Sequence, residues 1–259
     1  GTILSSGSIM TPYLLLKSGI GKAEELRQYK IPVQLNSPHV GKNFQDHLGL
    51  DYLYKTHMPT LNDELGTWTG RIKTVLRYFY NRKGPLSLSL NQGGGYINWK
   101  SLDPFPNIQL YFNPLTYSVT YKNKRPLLKT DKFSGFIIGF NSCRPKSLGE
   151  VKLRLENEEY YPSINPNYLS DERDIHDLYS AFDFVRKFSS NKHIKNIIKA
   201  PINIDPIKAS DKELLDHFKS MATTIYHPCG TCRMSKDINS GVVSDKLKVH
   251  GLENLWIVD

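Results

Sequence analysis

The densest group of residues that could carry out chemistry is the segment Tyr226–Met234, near the end of the chain. Within it, His227 carries the side chain type that exchanges a proton near neutral pH without a large pKa shift, and Pro228 restricts the backbone on which His227 sits. Gly230 would let the backbone approach a ligand closely. From these residues alone two interpretations stay open: His227 is an acid–base catalyst, or it is a structural histidine.

The same segment contains Cys229 and Cys232 in CxxC spacing, which raises a redox or a zinc role. The chain has three cysteines and no second CxxC, so neither a disulfide framework nor a paired zinc motif is indicated. A closed zinc site around His227 would need a fourth ligand, and Asp237 and His250 do not supply it at a standard spacing. We therefore expect no metal site. Cysteine usage leaves the compartment open, and secretion of a longer parent protein is one of the alternatives.

Two other motifs lack the structural context that their chemistry needs, and a third motif is absent. Gly19-Ile20-Gly21 begins like a dinucleotide fingerprint, but Glu24 occupies the third glycine position and a predicted helix precedes the motif. The run Gly93-Gly94-Gly95 is followed by no Lys-Ser/Thr pair, so we expect a turn there and not a phosphate loop. No Gly-x-Ser-x-Gly sequence occurs, which argues against Ser-His-Asp hydrolase chemistry.

Charge and composition argue against two further classes. The chain has 259 residues with 39% hydrophobic and 23% charged residues, as folded globular proteins do, and its formal net charge is +9. Basic residues recur along the whole chain and form one local run, which comprises Lys122, Lys124, Arg125, Lys129 and Lys132. Pro126 interrupts this run, which predicts a solvated loop and no nucleic-acid partner. No segment approaches the roughly 20 apolar residues that span a bilayer, so we predict no membrane span.

Two short apolar segments at the ends of the chain are predicted to be buried strands. Thr2–Ser5 is followed by Ser6-Gly7, and Leu255–Val258 is followed by Asp259. Ligands of α/β sheets sit at the carboxyl ends of the strands. We therefore expect Ser6, Gly7 and Asp259 to approach the same ligand.

The segments between these ends combine helices with antiparallel strands. The capping box Ser210-x-x-Glu213 predicts a helix start, and further helices are predicted from Thr11-Pro12, over 22–29, over Arg71–Tyr80 and from Asp171. Strands are predicted over Ile108–Phe112, Phe133–Asn141 and Val151–Leu155. These patterns indicate a mixed α/β fold class in which one domain is interrupted by another.

Three separated blocks carry a resemblance to a known family. The blocks Gly7–Gly21, Val40–His47 and Tyr226–Met234 resemble, in order and spacing, motifs of the glucose-methanol-choline oxidoreductases. The segments Gly149–Leu153 and Pro162–Leu169 are similar to the substrate-domain pattern of that family. Gly84-Pro85-Leu86 and Thr224–His227 look most like its insect branch, which includes glucose dehydrogenase-like and salicyl alcohol oxidase-like members.

The resemblance implies a fold and a domain division. Residues 1–48 and 220–259 would be parts of a Rossmann-like FAD-binding domain, and residues 49–219 would form a substrate-binding domain with an antiparallel sheet and helices. The activity implied is FAD-dependent oxidation of a small-molecule alcohol to a carbonyl, with hydride transfer to the flavin. Whether oxygen or a quinone reoxidises the flavin stays open.

The resemblance also assigns roles to single residues. His227 matches the family's catalytic histidine, which acts as a base, while Asp259 matches an aspartate that contacts FAD. Ser6 and Gly7 match the strand end that passes the cofactor. The family's glycine-rich FAD fingerprint and a second active-site His or Asn are expected outside this chain, so the chain alone is expected neither to hold FAD nor to turn over. The alternative is a family member that has lost catalysis and serves as a binding or structural protein.

Overall fold

The computed structural model describes residues 1–122 and 125–259, without the side chains of residues 120–126. The chain divides into two compact units. The terminal unit comprises Gly1–His47, Pro145–Ile175 and Thr224–Asp259, and the middle unit comprises Leu48–Arg144 and His176–Thr223. Residues 145–175, which the sequence places within the middle span 49–219, therefore pack with the two ends of the chain.

The described elements follow one another in a mixed α/β order. The helices are α1 (Gly7–Lys17), α2 (Ala23–Gln28), α3 (Leu61–Leu65), α4 (Trp68–Asn81), α5 (Glu172–Ser190), α6 (Lys192–Ile197) and α7 (Asp211–Met221), with a 3-10 turn at Pro85–Ser87. The strands are β1 (Thr2–Leu4), β2 (Ile20–Gly21), β3 (Leu35–Asn36), β4 (Lys42–Phe44), β5 (Leu48–Thr56), β6 (Gly93–Ile97), β7 (Ile108–Asn113), β8 (Tyr117–Lys122), β9 (Arg125–Thr130), β10 (Gly135–Ser142), β11 (Gly149–Glu156), β12 (Glu159–Asn165), β13 (Ile198–Pro201), β14 (Thr223–Thr224) and β15 (Leu255–Ile257). The predicted fold class is confirmed.

In the terminal unit, the first and the last strand of the chain lie side by side. β1 and β15 pair in parallel with Leu4 opposite Ile257, so their carboxyl ends reach the same edge. A second sheet has the order β12-β11-β4, and its antiparallel β11–β12 pair confirms the strand predicted over Val151–Leu155. Helix α1 packs on β11 and buries Leu15 and Leu16 in the core of this unit. The fold thereby places the residues that follow β1 and β15 next to each other.

Helix α1 begins earlier than the sequence predicts. It begins at Gly7, so Pro12 lies inside the helix and not in its first turn. Proline has no N–H, and the carbonyl of Ser8, four residues before it, cannot receive the usual helical hydrogen bond. The hydroxyl of Thr231 donates to that carbonyl at 2.6 Å instead. A tertiary contact from the opposite end of the chain thus replaces the missing backbone hydrogen bond.

The middle unit is built on an antiparallel sheet of order β13-β5-β10-β7-β6. β7 and β10 confirm the strands predicted over Ile108–Phe112 and Phe133–Asn141, and the capping box at Ser210 and Glu213 is present at the start of α7. Gly93–Gly95, predicted as a turn, lies in β6 because its backbone pairs with β7. The core of this unit is aromatic, with buried Tyr52, Tyr54, Phe136, Phe140, Phe182 and Phe218.

Two features of the middle unit differ from the simplest expectation. Helix α4 forms where predicted, but its apolar stripe, which includes Ile72, Leu76 and Phe79, is exposed. The sequence predicts a loop for the basic run between Lys122 and Lys132. The structure instead places Lys122 in β8 and Lys129 in β9, which pair as an antiparallel hairpin, while Lys124 lies outside the described residues.

None of the described helices has the length and apolar character needed to cross a bilayer.

Candidate functional site

The ends of β1 and β15 bring together two of the residues predicted to contact a cofactor. The backbone N–H of Gly7 donates to Oδ1 of Asp259 at 2.9 Å. The hydroxyl of Thr11 donates to Oδ2 of the same carboxylate at 2.5 Å and accepts the N–H of Ser6 at 3.0 Å. The structure therefore joins Ser6, Gly7 and Asp259 in one hydrogen-bonded group.

Asp259 completes the beginning of helix α1. Ser6 stands at the N-cap but makes no capping hydrogen bond through its side chain. The carboxylate of Asp259 accepts from Gly7, the first residue of the helix, and places a negative charge where the helix dipole is positive. Both carboxylate oxygens are thus held by groups of this unit, which fixes the direction of the side chain.

A cavity of about 430 Å³ opens beside this group. Gly7, Thr11 and Asp259 line one part of it, and the segment Pro228–Met234 lines another. Gly7 has φ +79°, and no atom lies within 4 Å of the position that a Cβ would take there. A ligand can therefore approach the backbone at Gly7 without meeting a side chain.

The cysteines of the CxxC segment do not have the character of reactive thiols. Burial, followed by the charge of Asp259, raises the pKa of Cys232 to about 12. Burial, followed by the charge of Asp46, also raises the pKa of Cys229. Reactive cysteines have lowered pKa values, so both thiols stay protonated at neutral pH. Among the described residues, no three His, Cys, Asp or Glu side chains are grouped to hold a metal ion.

His227 is held on both sides of its backbone. Its N–H donates to Oδ1 of Asp46 at 3.0 Å. On one side Tyr226 adopts φ +63°, in the left-handed region that few non-glycine residues occupy. On the other side the carbonyl of Pro228 accepts the hydroxyl of Ser8 at 2.5 Å. The side chain of His227 itself is exposed, so a fixed backbone presents an accessible imidazole.

A second histidine lies next to His227. The rings of His47 and His227 have centroids 5.5 Å apart and planes inclined by 68°. The segment that contains His47 pairs in antiparallel orientation with the segment that contains His227. Gln45 and Cys229 exchange backbone hydrogen bonds of 3.0 and 2.8 Å. Ile225 adds a third backbone hydrogen bond, to the carbonyl of His47 at 3.1 Å. The two imidazoles thus stand on neighbouring, mutually paired segments.

The buried carboxylate of Asp46 binds the backbone of both histidines. Only 5% of Asp46 is exposed. It accepts the N–H of His47 at 2.9 Å in addition to that of His227, and the hydroxyls of Tyr168 (2.7 Å) and Thr224 donate to its other oxygen. Burial, followed by the hydrogen bond to Asp46, raises the pKa of the Tyr168 phenol above its ordinary value.

Sequence reasoning gave no role to Asp46 or His47, although both lie in the block Val40–His47. The hydrogen bond from His227 to Asp46 joins positions 181 residues apart, and no periodicity or spacing announces such a contact. The only local signal is an acid followed by a histidine, one residue after the end of the short strand β4.

The residues after His227 pack on Asn43 and bind the first turn of helix α1. The φ of Gly230 is +91°, and a Cβ at this position would lie 2.1 Å from the carbonyl oxygen of Asn43. The next residue, Thr231, is buried and donates to the carbonyl of Ser8. His227 is not among the residues that line the cavity beside Gly7 and Asp259, but its neighbour Pro228 is. The structure therefore connects the predicted base to the predicted cofactor contacts through Pro228 and Ser8.

Comparisons with known proteins show the family of this chain. Models of the GMC oxidoreductase family match residues 1–49 with their N-terminal part and residues 145–259 with their C-terminal part, which together exceed half of the chain. An alcohol dehydrogenase [acceptor] of Pseudomonas putida is 34% identical over 258 residues, which are 99% of this chain and 46% of the relative. An oxygen-dependent choline dehydrogenase of Cronobacter sakazakii is 32% identical over 257 residues, 99% of this chain and 45% of the relative.

Solved structures show the same fold. A crystal structure of formate oxidase superposes with a TM-score of 0.86 at 28% identity, over 99% of this chain and 48% of the formate oxidase. A pyridoxine 4-oxidase from Mesorbium loti, at 24% identity and a TM-score of 0.76 over 99% of this chain and 45% of its own, shares the fold. The chain spans about half the length of the curated relatives it matches. It belongs to the GMC oxidoreductase family, whose cofactor is FAD.

Proposed function

We propose that this chain supplies part of the active site of an FAD-dependent oxidoreductase that converts an alcohol into a carbonyl compound, with His227 as the base. The observation that carries the proposal is the presentation of His227, an exposed imidazole on a backbone that Asp46 holds at His227 and Ser8 holds at Pro228. The alcohol and choline dehydrogenases among the relatives support an alcohol as the substrate class.

The residues at the ends of β1 and β15 fit a role in holding FAD. Gly7 exposes its backbone to the neighbouring cavity, and no Cβ blocks the approach. The carboxylate of Asp259 already occupies the N-terminus of α1, so it would repel a phosphate and would instead accept from hydroxyl or N–H groups of the cofactor. Ser6, Gly7 and Asp259 are therefore the residues proposed to contact FAD.

Bound flavin would accept the hydride, and the chain would handle the proton. Hydride leaves readily only from an alkoxide-like carbon, so a base must take the hydroxyl proton as transfer proceeds. His227 is proposed to take this proton at an imidazole nitrogen. His47, with its ring centroid 5.5 Å from that of His227, could orient the alcohol or receive the proton later.

The domain roles and the branch of the family are part of the proposal. The terminal unit, which contains the strand ends and His227, would carry the FAD-binding part, and the middle unit would carry the substrate-binding part. Gly84-Pro85-Leu86 and Thr224–His227 support a place near the insect glucose dehydrogenase-like and salicyl alcohol oxidase-like members. The proposal leaves oxygen and a quinone as the two alternative final electron acceptors.

Anaerobic flavin reduction tests the proposal. The FAD-loaded protein that contains this chain is mixed without oxygen with primary alcohols, including choline and an aryl alcohol, and the absorbance of oxidised flavin is followed. At least one alcohol should bleach the flavin, whereas its methyl ether, which has no hydroxyl proton to lose, should not. Failure of every alcohol in a protein that retains FAD would contradict the proposal and favour a member that has lost catalysis.

A further inference from the structure

Asp46 is a buried carboxylate at the centre of the histidine group. Within the part of the chain that the structure describes, no Lys or Arg forms an ion pair with it. Burial of an unpaired charge is costly unless hydrogen bonds compensate for the lost water. Four donors do so here, two backbone N–H groups and two hydroxyls. Such a fully hydrogen-bonded acceptor holds its partners in a fixed geometry.

The donors come from three separate segments of the terminal unit. His47 follows Asp46 directly, Tyr168 lies after β12, and Thr224 and His227 belong to the segment near the end of the chain. Without the carboxylate, the N–H of His227 would lose its partner. Asp46 therefore accepts a hydrogen bond from the backbone of both histidines.

The carboxylate also holds a strained residue in place. Tyr226 lies between Thr224 and His227 and adopts φ +63°. Its N–H donates at 2.9 Å to the hydroxyl of Thr224, which in turn donates to Asp46. A non-glycine residue in this region is strained and persists only where its surroundings enforce it. Asp46 anchors Thr224 and His227, on the two sides of Tyr226. It therefore sets the direction in which the side chain of His227 points.

We propose that Asp46 is a positioning residue for alcohol oxidation, which fixes the backbone of His227 and of His47 so that the imidazole meets the reacting hydroxyl. The inference rests on the proposed function of His227 as the base. Asp46 is buried and acts through the two histidines, and the hydroxyl of Tyr168 donates to the carboxylate and fixes its position.

The test compares rate constants of flavin reduction in the FAD-loaded protein. Asp46→Ala should lower the rate constant about 10²-fold, the usual effect of misplacing a catalytic group by about 1 Å, with FAD content and alcohol affinity retained. Asp46→Asn should recover about tenfold of this loss, because its amide oxygen can still accept the N–H of His227. Tyr168→Phe should lower the rate about 3- to 10-fold, because three of the four donors remain.

A double-mutant cycle separates positioning from general damage. In a His227→Ala background, Asp46→Ala should cause a much smaller loss than in the wild type, because only its effect on His47 remains. An equal loss in both backgrounds would overturn the inference. So would wild-type rates in Asp46→Ala or, if that variant does not fold, in both Asp46→Asn and Tyr168→Phe. Wild-type reduction by His227→Ala alone would instead overturn the proposed function, so the two failures are distinguishable.

Discussion

Gly230 offers a quantitative test of how closely the histidine segment packs on the chain before His47. In Gly230→Ala the new Cβ would lie 2.1 Å from the carbonyl oxygen of Asn43, far inside van der Waals contact, and φ would have to stay at +91°. The left-handed conformation costs about 1–2 kcal/mol for a residue with a Cβ. Relief of the clash requires the two segments to separate, which breaks the hydrogen bonds between Gln45 and Cys229 at about 1 kcal/mol each. We expect a total loss of about 3–4 kcal/mol.

Gly7→Ala is the matched control for this variant. Gly7 has a similar φ of +79°, but a Cβ there would meet no atom within 4 Å, so only the conformational cost of about 1–2 kcal/mol applies. Urea unfolding followed by circular dichroism gives both free energies of unfolding. Amide exchange at Gln45 and Cys229 then reports whether the paired segments have opened. Equal destabilisation by the two substitutions, with unchanged exchange at Gln45 and Cys229, would refute the packing argument.

Two further predictions concern the terminal unit. Thr231→Val should lower the free energy of unfolding by about 1–3 kcal/mol in thermal or urea unfolding, because it leaves the carbonyl of Ser8 without the hydroxyl that replaces the absent N–H of Pro12; an unchanged stability would contradict this account of α1. Burial acts to raise the pKa of Glu150, but hydrogen bonds from Lys152 and Lys42 outweigh it, so the pKa lies below its ordinary value. The ion pairs of Glu150 with Lys42 and Lys152 therefore stabilise the fold fully above the ordinary pKa of a glutamate. This stabilisation is lost as the pH falls through the lowered pKa of Glu150 in the folded protein. Glu150→Gln should cost about 1 kcal/mol at neutral pH, and its urea midpoint should converge on that of the wild type in acid; a pH-independent difference would argue against the ion pairs as the cause.

The residues at the ends of β1 and β15 could be identified from sequence because each strand end has a local signal. An apolar strand followed by Ser6-Gly7 and another followed by Asp259 suffices to bring these residues together once the two strands pair in parallel. The capping box at Ser210 and the alternation in β11 are signals of the same kind, since each depends on a few neighbouring residues.

The features that sequence reasoning missed depend on contacts between distant segments. Thr11-Pro12 has the local signature of a helix start, yet α1 begins at Gly7 because Thr231 supplies a hydrogen bond that Pro12 cannot. The local sequence around Asp46 gives only a weak signal, an acid followed by a histidine, because its role arises only where the chain meets His227. The apolar stripe of α4 shows the converse, since its spacing predicts the helix correctly but does not determine whether that face is buried.

The central claim is that His227 takes the proton from the alcohol, and the rate constant of anaerobic flavin reduction in His227→Ala tests it most directly. The variant should retain FAD and reduce it roughly 10² to 10⁴-fold more slowly than the wild type, with partial recovery on addition of imidazole. His193→Ala, which removes an exposed histidine from helix α6 in the other unit, should keep the wild-type rate. Reduction of His227→Ala at the wild-type rate would contradict the claim.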